Sequence, residues 1–194
     1  MAGSFGARKA VGVRDDSFAR AFVMGNGSNS LVIVSCDLAV ISAEISTPAK
    51  MLVMEQHGIP PDQICLCATH THTAPEIRSA NTSHPHDPAY NARLISVIAD
   101  VISKALANRF EARMHYGRTE VEGLSFNRIY RLKNGSEIFG RSKALEDAIV
   151  GSAGPLDTSL QTVCFRDRAG HMRAVMVNFA CHPDTHPDDR GAKP

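Results

Sequence analysis

Apolar residues in this chain fall mostly into short strand-like runs, and only two stretches carry a helical period. Residues 17–24 and 30–37 are two β-type runs split by Gly25-Asn26-Gly27-Ser28-Asn29, which predicts a hairpin. A helix signal follows, with Thr47 as N-cap, Pro48 at the first helical position, Gly58 just past the end and Pro60 beyond it. Residues 65–69 form the next strand, apolar enough to be buried on both faces. Residues 70–87 hold Pro, Ser, Asn and His without periodicity, a loop of a length usually reserved for function. A second helix starts at Asp87 and Pro88, with Leu94, Ile98, Val101, Ile102 and Ala105 on its core face.

Beyond that helix, residues 113–120 and 124–132 read as strands, and Asn134-Gly135 is the strongest short hairpin signal in the chain. The stretch 141–155 is weakly patterned. Residues 160–165 and 172–179 are strands joined by the turn Asp167-Arg168-Ala169-Gly170. Hairpins beside a strand–helix–strand–helix stretch predict an α/β (mixed α+β) fold: a mixed β-sheet with hairpins and flanking helices, one domain over residues 1–194. An eight-unit amidohydrolase barrel needs about 250 residues and no hairpins, so it is set aside.

Composition narrows the function classes. The chain is 43% apolar and 21% charged, which is ordinary for a folded domain. A net charge of +1 argues against a polyanion-binding surface, so nucleic acid is not expected as a partner. No apolar run approaches the ~18–20 residues of a membrane span. Residues 1–16 lack the apolar core of a signal peptide, which favours the cytoplasm if the start is real and secretion if it is incomplete. The five cysteines, Cys36, Cys65, Cys67, Cys164 and Cys181, are odd in number and sit in apolar runs, so free buried thiols are expected rather than a disulfide framework. Oligomeric state is not legible.

The histidines carry the chemistry. Of nine, His70, His72, His84 and His86 crowd one loop and His182 with His186 another. Side chains two apart on an extended segment share a face, roughly 6.5–7 Å apart. Two imidazoles on one strand-end face can begin a zinc site, and His70 and His182, each ending an apolar strand, are the first-choice ligands. His84 and His86 read as exposed loop residues, and His57, His115 and His171 receive no role. Pro183 and Pro187 make a helical His182/His186 chelate improbable. Asp37 closes a strand at the same sheet edge, either as a carboxylate orienting a ligating imidazole or as a strand-end group. Arg128 follows Ser125-Phe126-Asn127 and would suit an anionic or carbonyl-bearing substrate.

With these residues in view, the chain resembles the catalytic, amino-terminal domain of the neutral/alkaline non-lysosomal ceramidases. The resemblance runs over most of the chain, through Val32-Ile33-Val34-Ser35-Cys36-Asp37, Thr69-His70-Thr71-His72-Thr73-Ala74-Pro75, Phe126-Asn127-Arg128, Gly154-Pro155-Leu156-Asp157 and Asn178-Phe179-Ala180-Cys181-His182-Pro183. It implies hydrolysis of the amide of ceramide, or of another N-acyl substrate, by water activated on one zinc ion. It further implies that His70 and His182 are zinc ligands, that His72 is a catalytic group beside the metal, and that Arg128 holds the substrate or its developing charge. Contact with a membrane surface is implied by the lipid substrate.

The chain departs from the family where T-H-T-H-S-G-P-G becomes Thr69-His70-Thr71-His72-Thr73-Ala74-Pro75-Glu76, a charge replacing a small residue. The family's remaining ligands, a Glu and a Tyr, find no match, so the chain is expected to be a fragment of an incomplete ceramidase-type catalytic domain. Alternatives that keep the fold are a catalytically inactive remnant or binding module, and a hydrolase of another amide or ester.

Overall fold

The computed structural model describes residues 1–3, 9–10, 12–27, 29–81, 85–141 and 143–182. They form two compact units, Met1–Arg109 and Phe110–His182. Mixed α and β structure is observed as expected.

The first unit is a three-stranded mixed sheet with two helices. Strands β1 (Ala19–Gly25) and β2 (Ser30–Cys36) form the antiparallel hairpin, Gly25 pairing with Ser30 across the turn. Helix α1 (Ala43–His57) then returns the chain to β3 (Ile64–Ala68), which pairs parallel with β2, Val32 opposite Ile64 and Cys36 opposite Ala68. Helix α2 (Pro88–Ala107) is capped by the Asp87 side chain, which accepts from the Ala89 N–H at 2.9 Å. It packs on α1 and on β1. Val32, Val34 and Cys36 of β2, Ile45, Ala49 and Val53 of α1, and Leu94, Ile98 and Ile102 of α2 make one buried core. The helical ones recur every four residues, a spacing that puts side chains on one face.

Two expectations change here. Helix α1 starts at Ala43 behind Ser42, so Pro48 lies inside it rather than opening it. The gain is the burial of Ile45, 1% exposed, which continues the Ala49 and Val53 stripe one turn earlier. Gly58 does end the helix, at φ 68 with its N–H on the Met54 carbonyl at 2.8 Å. Strand β3 is covered on one face only: Ile64 is buried and Leu66 and Ala68 partly so, whereas Cys65 and Cys67 face outward, their Sγ atoms 3.5 Å apart. β3 is also the edge strand of this sheet among the described residues. Of the five free cysteines only Cys36 is buried, where desolvation pushes its thiol up to about 11.

The second unit is β-rich. Strands β4 (Arg113–Glu120), β8 (Ser159–Arg166) and β9 (Met172–Asn178) form one antiparallel sheet in the order β4-β8-β9. Strands β5 (Ile129–Leu132), β6 (Glu137–Phe139) and β7 (Ile149–Ser152) form another, in the order β6-β5-β7. The Asn134-Gly135 turn is present, with Gly135 at φ 85 and its N–H on the Leu132 carbonyl at 2.9 Å. Gly170, at φ 88, closes the turn between β8 and β9. The expected strand over 124–132 shrinks to Ile129–Leu132, because the Asn127 side chain takes the Ile129 N–H at 2.9 Å and turns the chain just before it. β7 was not legible in the weakly patterned stretch. β9 is mostly exposed, not a buried strand, with Val175 and Val177 open to solvent.

Candidate metal centre

β3 ends at Ala68, one residue after which the Thr69 N–H takes the Cys36 carbonyl at 2.9 Å. The chain then breaks from extended geometry. His70 has φ 62, the left-handed region, and is the only non-glycine among the described residues with positive φ. Such a conformation costs an L residue about 1–2 kcal/mol and persists only where the surrounding structure over-determines it. The turn brings the His70 and His72 rings edge to face, centroids 4.8 Å apart, closer than the strand spacing that first paired them. A common strand face is therefore not what joins them; a tight turn is.

The proton positions follow from the partners. His70 Nδ1 lies 2.6 Å from the Ala39 carbonyl oxygen. Only an N–H can pair with that oxygen, so Nδ1 donates and Nε2 is left as the ring nitrogen that faces His72. His70 Nε2 stands 3.3 Å from His72 Nε2. Two nitrogens each ~2.0–2.1 Å from a tetrahedral zinc lie about 3.3–3.4 Å apart. A backbone carbonyl behind one imidazole is the usual second contact of a metal-ligating histidine. Two imidazoles so disposed fit a zinc ion.

The loop that follows is braced by Glu76, which is 3% exposed. Its Oε1 accepts from the Ile77 N–H at 3.0 Å, the Arg78 N–H at 2.9 Å and Arg78 Nε at 2.8 Å; its Oε2 accepts from Arg78 Nη2 at 2.7 Å and Asn81 Nδ2 at 2.8 Å. These bonds, the Arg78 side chain first among them, hold the carboxyl down to about 2. The charge that departs from the family pattern is thus a structural clamp. Asp37 is structural too: it accepts from the Phe18 N–H at 3.0 Å and pairs with Arg20 at 3.1 Å, fixing the start of β1 against the end of β2.

A cleft of about 1330 Å³ opens beside this loop, lined in part by Phe18, Leu38, Pro75, Tyr90 and Leu94; neither His70 nor His72 lines it. His86 is half-buried on that cleft rather than exposed. His57 is held by Ser103 Oγ at 2.6 Å. His84 and His186 lie outside the described residues.

In the second unit, His182 comes four residues after β9 rather than at its end. The preceding Cys181 directs its thiol to the Leu124 carbonyl at 3.8 Å. Arg128 is exposed, its guanidinium 5.1 Å above the centre of the Phe139 ring and its carbonyl bonded to the Gly140 N–H at 2.7 Å.

No family model and no curated protein matches the chain. A solved structure does: neutral ceramidase from Pseudomonas aeruginosa, with a TM-score of 0.60 and 22% identity over 84% of this chain. The fold is that of part of a neutral ceramidase. The match covers 26% of the solved chain, so the protein described here spans about a quarter of that ceramidase. Sequence reasoning singled out the histidine pair and missed two features of its setting: the Ala39 carbonyl and the left-handed backbone of His70. Neither leaves a mark in a spacing pattern.

Proposed function

We propose that this chain carries part of the site of a zinc-dependent amide hydrolase of neutral-ceramidase type, acting on ceramide or a similar N-acyl lipid. The observation that carries the reading is His70, whose Nδ1 is fixed as a donor to the Ala39 carbonyl so that Nε2 is the nitrogen available to a metal, with the His72 ring beside it. The ceramidase fold supports it.

In this reading His70 and His182 ligate the zinc. The ion supplies a Lewis acid and a water whose pKa falls toward ~7. His72 moves the proton through Nε2, accepting it from the attacking water and delivering it to the leaving amine. Arg128, steadied over Phe139, binds the carbonyl oxygen as charge develops on it. Catalytic zinc takes three protein ligands and one open position. Two histidines are one ligand short of that set, so these 194 residues alone should bind zinc weakly and turn over little.

A second reading has one observation in its favour: the 3.3 Å spacing equally suits His72 as a ligand. Metal analysis and fluorescent-ceramide hydrolysis of the full-length protein separate the two. His70→Ala and His182→Ala should each lose stoichiometric zinc, and His72→Ala should keep zinc while turnover falls about 10²–10⁴-fold. Loss of zinc from His72→Ala establishes the second reading. Retention of zinc by His70→Ala ends both.

A further inference from the structure

The segment before β1 reaches the same loop. The Ala2 N–H donates to the Ala74 carbonyl at 2.8 Å, and both alanines are 1% exposed. Gly3 follows with φ +85, and a Cβ built on it would stand 2.5 Å from Cγ, 2.8 Å from Nδ1 and 2.9 Å from Cβ of His72. Ordinary carbon contacts begin at about 3.5 Å. The backbone of Gly3 therefore lies directly on the Cβ–Cγ–Nδ1 side of the imidazole, in a space no side chain could share. Nε2, on the other side of the ring, is the nitrogen that stands 3.3 Å from His70 Nε2. Backbone conformation and lack of a side chain are both required at this one position.

We propose that Gly3 is a positioning residue for His72: its bare backbone, anchored by the Ala2–Ala74 bond, is the wall that keeps the His72 ring turned with Nε2 toward His70. The proposal rests on the reading of His72 as the proton-moving group and goes beyond it by naming what fixes that group.

The test uses full-length protein labelled at glycine and histidine. Metal-free wild type should show a nuclear Overhauser contact between the Gly3 Hα protons and the His72 side chain; its absence overturns the proposal whether or not the protein is an amidase. Gly3→Ala should abolish that contact, shift the His72 ring nitrogens and lower kcat at least tenfold with KM changed less than twofold. In a His72→Ala background Gly3→Ala should cost no further activity, and an equal loss there shows that Gly3 acts elsewhere. Gly58→Ala is the control for backbone strain, since Gly58 has φ +68 with nothing within 4 Å of a built Cβ, and its kcat should match wild type. Should Gly3→Ala fail to fold, the Gly3→Ala/His72→Gly pair, which also removes the His72 Cβ 2.9 Å from the built Cβ, should recover the melting temperature of His72→Gly to within the Gly58→Ala shift; no recovery counts against the contact. A wild type without turnover sinks the amidase reading and leaves the spectroscopic arm to decide this one.

Discussion

His70 combines two demands that a sequence pattern does not show together. Its side chain is fixed at both ring nitrogens, and its backbone sits at φ 62, where glycine is favoured and histidine is not. Replacing it separates the two. His70→Gly and His70→Ala both delete the imidazole, yet only the alanine retains a Cβ in the left-handed region. The glycine variant should therefore be the more stable by about 1 kcal/mol, read as the difference in urea unfolding free energy between the two. Equal stabilities would show that the backbone relaxes out of this conformation once the ring is gone. His70 was legible as a metal candidate from its place after an apolar strand; its conformation was not, because positive φ in a non-glycine residue is imposed by tertiary partners such as Ala39.

At the scale of the element, the loop after β3 is held by charge rather than by periodicity. Glu76 accepts five hydrogen bonds in a position almost closed to water, and its carboxyl is held down to about 2 against 4.5 when unfolded. A depressed folded pKa means that Glu76 stabilises the protein fully above pH ~4.5, with the contribution lost progressively as pH falls from there toward 2. The shift corresponds to at most about 3 kcal/mol. Glu76→Gln keeps the shape and removes the charge, so at pH 7 it should lose about 1–3 kcal/mol, and the gap to wild type should close as pH is lowered through that window. Urea midpoints of both proteins from pH 7 to 2 check this; a gap independent of pH would show that the clamp is not electrostatic. Much of the fold was readable: the three hairpin turns, α2 with its Asp87 cap and the end of α1 at Gly58 each follow from a few residues with fixed backbone preferences. The start of α1 was not, because burial of Ile45 outweighed the usual preference of Pro48 for a first turn. The outward-facing Cys65 and Cys67 were misplaced for a similar reason, since an apolar run says how a strand could be covered and not whether a second layer is there.

At the scale of the whole molecule, the proposed metal would tie fold to chemistry, and linkage makes that tie measurable. An ion that binds the native arrangement and not the unfolded chain stabilises the protein by RT ln(1 + [L]/Kd), about 2.7 kcal/mol at a hundredfold excess over Kd. His70 contributes to this only if its Nε2 lone pair is preserved in the folded state, which the Ala39 carbonyl secures by holding the proton on Nδ1. Zinc titrated into wild-type protein should therefore raise the unfolding free energy with a logarithmic dependence on concentration, and EDTA should reverse it. His70→Ala should show no such rise across the same range, whatever its basal stability. The slope thus reports the ligand set without requiring turnover, which matters for a chain that spans about a quarter of the ceramidase it matches. A His70→Ala protein stabilised by zinc as steeply as wild type would place the ion on other groups, and the pairing of His70 with His72 would then be a hydrogen bond within a turn and nothing more.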